Sequence, residues 1–140
     1  MISKILVSVD GSTYSGKALD YGIFLAKACQ ASLGLVHVVH VPPISTADPH
    51  TVDRVSQLLE SGGNKILANA EERVKAAGLK VEKIKEMGYP VNHIVKVASE
   101  RGYDLIIMGS RGMSGVKEAL LGSVSHGVSQ QAKCPVLIVH

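Results

Sequence analysis

The chain has 140 residues, 46% of them hydrophobic and 19% charged, with a formal net charge of +3. This is the size and balance of one globular domain spanning 1–140, able to bury about 68–70% of its unfolded surface. It contains no apolar run near the roughly 20 residues of a membrane-spanning helix.

Aromatic residues are 4% of the chain, tryptophan is absent, and the lysines between Lys65 and Lys85 are interleaved with Glu71, Glu72 and Glu82. That pattern reads as solvated faces and not as a nucleic-acid surface. The start, MISKILVSVDGS, passes at once into a strand pattern and does not resemble a cleaved signal, so a cytoplasmic location is expected. Cys29 and Cys134 form no CxxC pair and are expected as reduced thiols.

In chain order, Ile2–Val9 is short, apolar and β-branched, and Asp10-Gly11-Ser12 ends it in a turn. Ser12 can cap a helix to about Gln30, with Ala18, Leu19, Gly22, Leu25, Ala26 and Cys29 at helical spacing. Leu33–Val39 is nearly continuous in apolar residues, the pattern of a strand covered on both faces. Pro42-Pro43 stops it and opens a polar loop through Pro49. A helix is expected from about Thr51 to Ala77, with a break or bend at Gly62-Gly63 and a C-terminal cap at Gly78. Lys80–Met87 alternates polar and apolar, as a half-exposed edge strand does. Pro90 suits the first turn of a helix ending at Gly102, with Ile94, Val95, Val97 and Ala98 inward. Leu105–Met108 is a wholly apolar strand, Ser123 can cap a last helix to about Ala132, and Pro135–Val139 is the final strand. Alternation of strand and helix requires crossover connections and hence a parallel sheet.

The segment after the fourth strand carries the chemistry. Gly109, two residues, Gly112, nine residues, Gly122 and then Ser123 lead from the end of a buried strand to the start of a helix. Glycines let backbone N–H groups approach an anion closely, and the helix adds its positive end. The Ser123 hydroxyl can cap that helix or donate to a phosphate oxygen, and Arg111 and Lys117 are nearby cations that can neutralise part of a triphosphate. Glycines also make ordinary turns, so the segment is informative only through the conjunction of strand, spacing, serine and helix. No Gly-Lys-Ser/Thr follows, which excludes a Walker A loop, and a dinucleotide fingerprint would follow the first strand. Asp10, at the end of the first strand, can meet a ribose, an adenine edge or a metal, or simply form an Asx turn.

Other candidates are weaker. His37 and His40 are three apart and expected on different faces, while His50, His93, His126 and His140 show no metal-ligand spacing. A Gly-x-Ser-x-Gly elbow is absent, so a hydrolase triad lacks its nucleophile.

Three segments together resemble the universal stress protein family in its ATP-binding branch: KILVSVDGS at 4–12, LVHVV at 35–39, and DLIIMGSRGMSGVKEALLGSVSHGV with CPVLIV within 104–139. The family's G-x2-G-x9-G-(S/T) signature is met by Gly109, Gly112, Gly122 and Ser123. The resemblance implies an open, doubly wound, five-stranded parallel sheet in the order 3-2-1-4-5, Rossmann-like, with helices on both faces. It implies that Ser8, Val9 and Asp10 line a nucleoside pocket with Val38, and that Met108 and Gly109 pack near ribose and adenine. Gly112, Gly122, Ser123 and Val124 would hold the phosphates, with Mg²⁺ carried on them and no protein ligand for it identified; Arg111 falls where the family varies. It also implies a homodimer through Val136–Val139. The expected role is an ATP-binding stress or signalling module. The alternatives are a weak ATPase or phosphoryl-transfer enzyme, and a nucleotide-free dimerisation module.

Overall fold

The computed structural model describes residues 1–43, 48–113 and 121–140. Five apolar segments become strands: β1 (Lys4–Ser8), β2 (Ser32–Val39), β3 (Val81–Met87), β4 (Leu105–Gly109) and β5 (Val136–Val139). Between them run α1 (Thr13–Cys29), α2 (Pro49–Ala76), α3 (Pro90–Glu100) and α4 (Ser123–Gln131). The strands pair in parallel in the order β3-β2-β1-β4-β5, with Ile5 opposite Leu33 on one side and Leu105 on the other. This is the order that the family resemblance implies.

The chain runs outward through α1 and α2 to β3, then returns past β1 to β4 and β5. Right-handed crossovers put the outgoing and returning helices on opposite faces. Alternate side chains of each strand accordingly enter two cores. Ile5, Val7, Leu35 and Ile107 pack beneath Leu19 of α1 and Leu67 and Val74 of α2. Leu6, Val36, Ile106 and Met108 pack beneath Ile94 and Val97 of α3 and Val128 of α4. Burial on both faces is why β1, β2 and β4 read as continuous apolar runs. β3, at one edge, keeps the expected alternation, with Ile84 buried and its polar neighbours outward.

The first helix start follows local chemistry, and the middle of α2 departs from expectation. The Ser12 hydroxyl accepts from the Ser15 amide at 3.1 Å and starts α1, as expected. Cys29, at helical spacing with the inward residues of α1, is exposed at the helix's last residue. The expected break at Gly62-Gly63 does not occur: α2 runs unbroken for 28 residues. Packing overrides propensity there, because Gly63 lies against β2, where an added Cβ would stand 2.7 Å from His37 Cδ2. The Glu60–Lys85 and Glu71–Lys83 ion pairs tie α2 to β3 on either side of this approach.

Candidate functional site

β1 and β4 are neighbours whose chains leave to opposite faces of the sheet, so a gap opens beyond their carboxyl ends. A cleft of about 400 Å³ occupies it. Every described residue that the sequence assigned to a ligand lines this cleft. Ser8, Val9 and Asp10 come from the end of β1, and Val38 from β2. Met108 and Gly109 come from β4, Arg111 and Gly112 from the loop after it, and Gly122, Ser123 and Val124 from the start of α4. Lys117 lies outside the described residues.

The end of β1 is held rigidly. The Val9 amide donates to the Val36 carbonyl at 2.9 Å, and His37 Nδ1 stands 2.8 Å from the Val9 carbonyl. A carbonyl only accepts, so that nitrogen carries a proton. Asp10 does form the Asx turn, its Oδ1 accepting from the Ser12 amide at 2.9 Å. Its other oxygen faces across the cleft mouth to Gly112, where a Cβ would stand 2.9 Å away. Gly109 is required by packing: a Cβ there would lie 2.6 Å from Tyr14 Cβ and 2.8 Å from the Tyr14 carbonyl carbon. The start of α1 thus presses directly on the end of β4.

Across from Asp10, the start of α4 is built differently from its sequence reading. Gly122, not Ser123, is the N-cap, and Ser123 is the first helical residue. Two amides of the segment are used internally: Ser110 donates to the Val139 carbonyl at 2.8 Å, and Gly122 to the Ser110 carbonyl at 2.7 Å. Gly122 therefore supplies space and not a donor, since a Cβ would come 3.2 Å from the Ser110 carbonyl oxygen. The amides of Gly112, Ser123, Val124 and Ser125 have no acceptor among the described residues. Three of these are the unpaired N–H groups of a helix start, aimed at the cleft with the positive end of the dipole.

Sequence reasoning missed several lining residues. Buried Ser125 braces the turn, its hydroxyl 2.8 Å from the Ser110 carbonyl and 3.1 Å from that of Gly122. Pro90 and Ile94 arrive from α3, brought in by the crossover, and no local signal marks them. His37 and His40, expected on different faces, both line the cleft. β2 ends at Val39, so strand alternation does not extend to His40.

The arrangement has two ends. Val38, Pro90, Ile94 and Met108 make an apolar slot suited to a flat ring, and the loop glycines with the α4 amides make an anion cradle. Among the described residues no group of three or more His, Cys, Asp or Glu could hold a metal. Two groups with shifted ionisation, Tyr103 and Asp104, sit at the opposite, amino end of the sheet, just before β4. Asp104 is held below the usual carboxylate range by the Ser3 amide and hydroxyl and the Lys4 amide. Burial, helped by the charge of Glu82, pushes the Tyr103 phenol up to about 12.

Comparison with known proteins agrees with this architecture. The chain is 44% identical to universal stress protein YxiE of Bacillus subtilis, over 99% of both chains. The solved structure of MJ0577 from Methanocaldococcus jannaschii superposes with a TM-score of 0.90 at 32% identity, covering 99% of this chain and 96% of the other. A universal stress protein solved in complex with cAMP superposes with a TM-score of 0.74, also at 32% identity, covering 99% and 97%. The family model described as the universal stress protein family matches residues 1–140, and the chain belongs to that family.

Proposed function

We propose that this protein binds an adenine nucleotide in the cleft between β1 and β4 and acts as a cytoplasmic, nucleotide-dependent stress or signalling module. ATP is the ligand that the family's signature implies. The observation that carries the reading is the cluster of amides at Gly112 and the start of α4 that have no acceptor among the described residues, facing Asp10 across one cleft. The cleft volume falls within the roughly 300–1,000 Å³ of small-molecule sites. Its apolar slot suits a purine, its amide cradle suits phosphate, and the Asp10 carboxylate stands beside the mouth. The cAMP complex of a relative supports the same ligand class. Mg²⁺ would ride on the phosphates, since Asp10 is the only carboxylate among the described lining residues.

β5 is the second sheet edge, and Val136, Leu137 and Ile138 are only partly buried there. An apolar open edge favours pairing with a second copy, which supports a homodimer through Val136–Val139.

Isothermal titration with ATP, paired with thermal denaturation, tests the nucleotide reading. A ligand at a hundredfold its Kd adds about 2.7 kcal/mol to stability. Neither heat nor a melting shift at millimolar nucleotide would end it.

A further inference from the structure

β1 and β2 stop pairing at the cleft, where a side chain takes the place of the next rung. Along a parallel strand, successive residues turn their N–H and C=O groups alternately to the two neighbouring strands. Val36 accepts from Val9 on the β1 side and Val39 accepts from Gly88 on the β3 side, so the main-chain groups of Val38 belong to the β1 side. The next rung would be the Val38 amide on the Val9 carbonyl. That rung is missing: the register ends at Ser8 opposite Val36, and the Val38 amide and carbonyl have no partner among the described residues. His37 Nδ1 stands on the Val9 carbonyl instead, at 2.8 Å. Its ring is wedged in place, because its other edge lies against Gly63 of α2, which has no Cβ to displace it. Val38 is half-buried and lines the cleft beside Val9 and His37.

An N–H and a C=O left without partners at the end of a sheet cost free energy until something else bonds them. Together they offer one donor and one acceptor to a flat ring that carries the complementary pair on one edge, as a nucleobase does. We infer that His37, backed by Gly63, is a positioning residue of the cleft: by occupying the Val9 carbonyl it keeps the ladder open at Val38 and reserves that residue's main chain for the ligand. This rests on the nucleotide reading above and adds what keeps the base end of the site open.

Amide hydrogen exchange followed by NMR, paired with calorimetric titration of ATP, tests this on the wild type, His37→Phe, His37→Leu and His37→Asn, each checked by its melting curve. In the ligand-free wild type the Val38 amide should exchange at least about tenfold faster than that of Val36, and ATP should slow it. His37→Phe and His37→Leu keep apolar bulk but no donor, so the Val9 carbonyl should take the Val38 amide. Its exchange then slows without ligand, and ATP binds about tenfold more weakly, the worth of one or two hydrogen bonds. The leucine variant covers the case in which phenylalanine does not fit beside Gly63. His37→Asn puts a donor where Nδ1 stood and should keep the fast exchange and most of the affinity. A protected Val38 amide in the ligand-free wild type would overturn the inference. So would weaker ATP binding in the apolar variants with unchanged exchange, which would make His37 a merely structural residue, or no change in either. A wild type that binds no ATP would overturn the nucleotide reading instead, and the exchange rates of the free protein would still decide for or against the open rung.

Discussion

Gly62 and Gly63 are adjacent in the middle of α2, yet the structure demands opposite responses to the same substitution. Replacing either with alanine removes the same helix penalty, about 0.8–1.0 kcal/mol. At Gly62 a Cβ meets nothing within 4 Å, so Gly62→Ala should raise stability by roughly that amount. At Gly63 the new methyl would lie 2.7 Å from His37 Cδ2, 3.0 Å from its Nε2 and 3.3 Å from Val39 Cγ2. His37 cannot swing away freely, because its Nδ1 is bonded to the Val9 carbonyl. Overpacking of this kind costs about 1–3 kcal/mol, and a lost hydrogen bond about 0.5–1.5 kcal/mol. The propensity gain is common to both variants, so Gly63→Ala should be less stable than Gly62→Ala by at least about 1–3 kcal/mol. That separates their melting temperatures by several degrees at about 2–4 °C per kcal/mol. Urea denaturation followed by far-UV circular dichroism measures it directly. Equal stabilisation of both variants would refute the close approach of α2 to β2, and a destabilised Gly62→Ala would restore the break expected from sequence.

Three further outcomes follow from the same geometry. Ser125→Ala removes the hydroxyl that braces the Ser110 and Gly122 carbonyls, which keep their backbone donors, and should cost about 0.5–1.5 kcal/mol in denaturant melts; no loss would mean the turn holds without it. Asp104, its pKa depressed in the folded chain, stabilises above the ordinary carboxylate range and loses that contribution as pH falls through its folded value. The melting difference between wild type and Asp104→Asn should therefore be full at pH 7 and shrink in acid; a gap independent of pH would refute the role of the charge. Tyr103, raised to about 12, stays neutral while an unfolded tyrosine ionises near 10, so its stabilising contribution is complete below about pH 10 and lost as pH rises towards 12. Ultraviolet titration of wild type against Tyr103→Phe should show one phenol ionising late, and four phenols titrating together near pH 10 would contradict it.

Strand identity, the parallel sheet and the glycine-spaced turn into α4 were legible in the residues because each rests on short-range chemistry. Continuous apolar runs such as Leu105–Met108 demand cover on both faces, and the glycine spacing after them, ending in serine at a helix start, limits what the loop can do. Ser12 as a cap, Pro90 at a helix start and Gly78 just past the end of α2 are local in the same sense. What tertiary structure alone decided depends on groups distant in the chain. Gly62-Gly63 reads as a break until β2 supplies the partner that makes Gly63 a contact. Ser123 reads as the cap until the Ser110 carbonyl takes the Gly122 amide and moves the helix start back by one residue. Pro90 and Ile94 belong to the cleft only because the crossover through α3 carries the chain back past β1, and His37 only because β2 pairs beside β1. Local preferences amount to about 1 kcal/mol per residue, whereas the contacts that overrule them are made between segments that folding alone brings together.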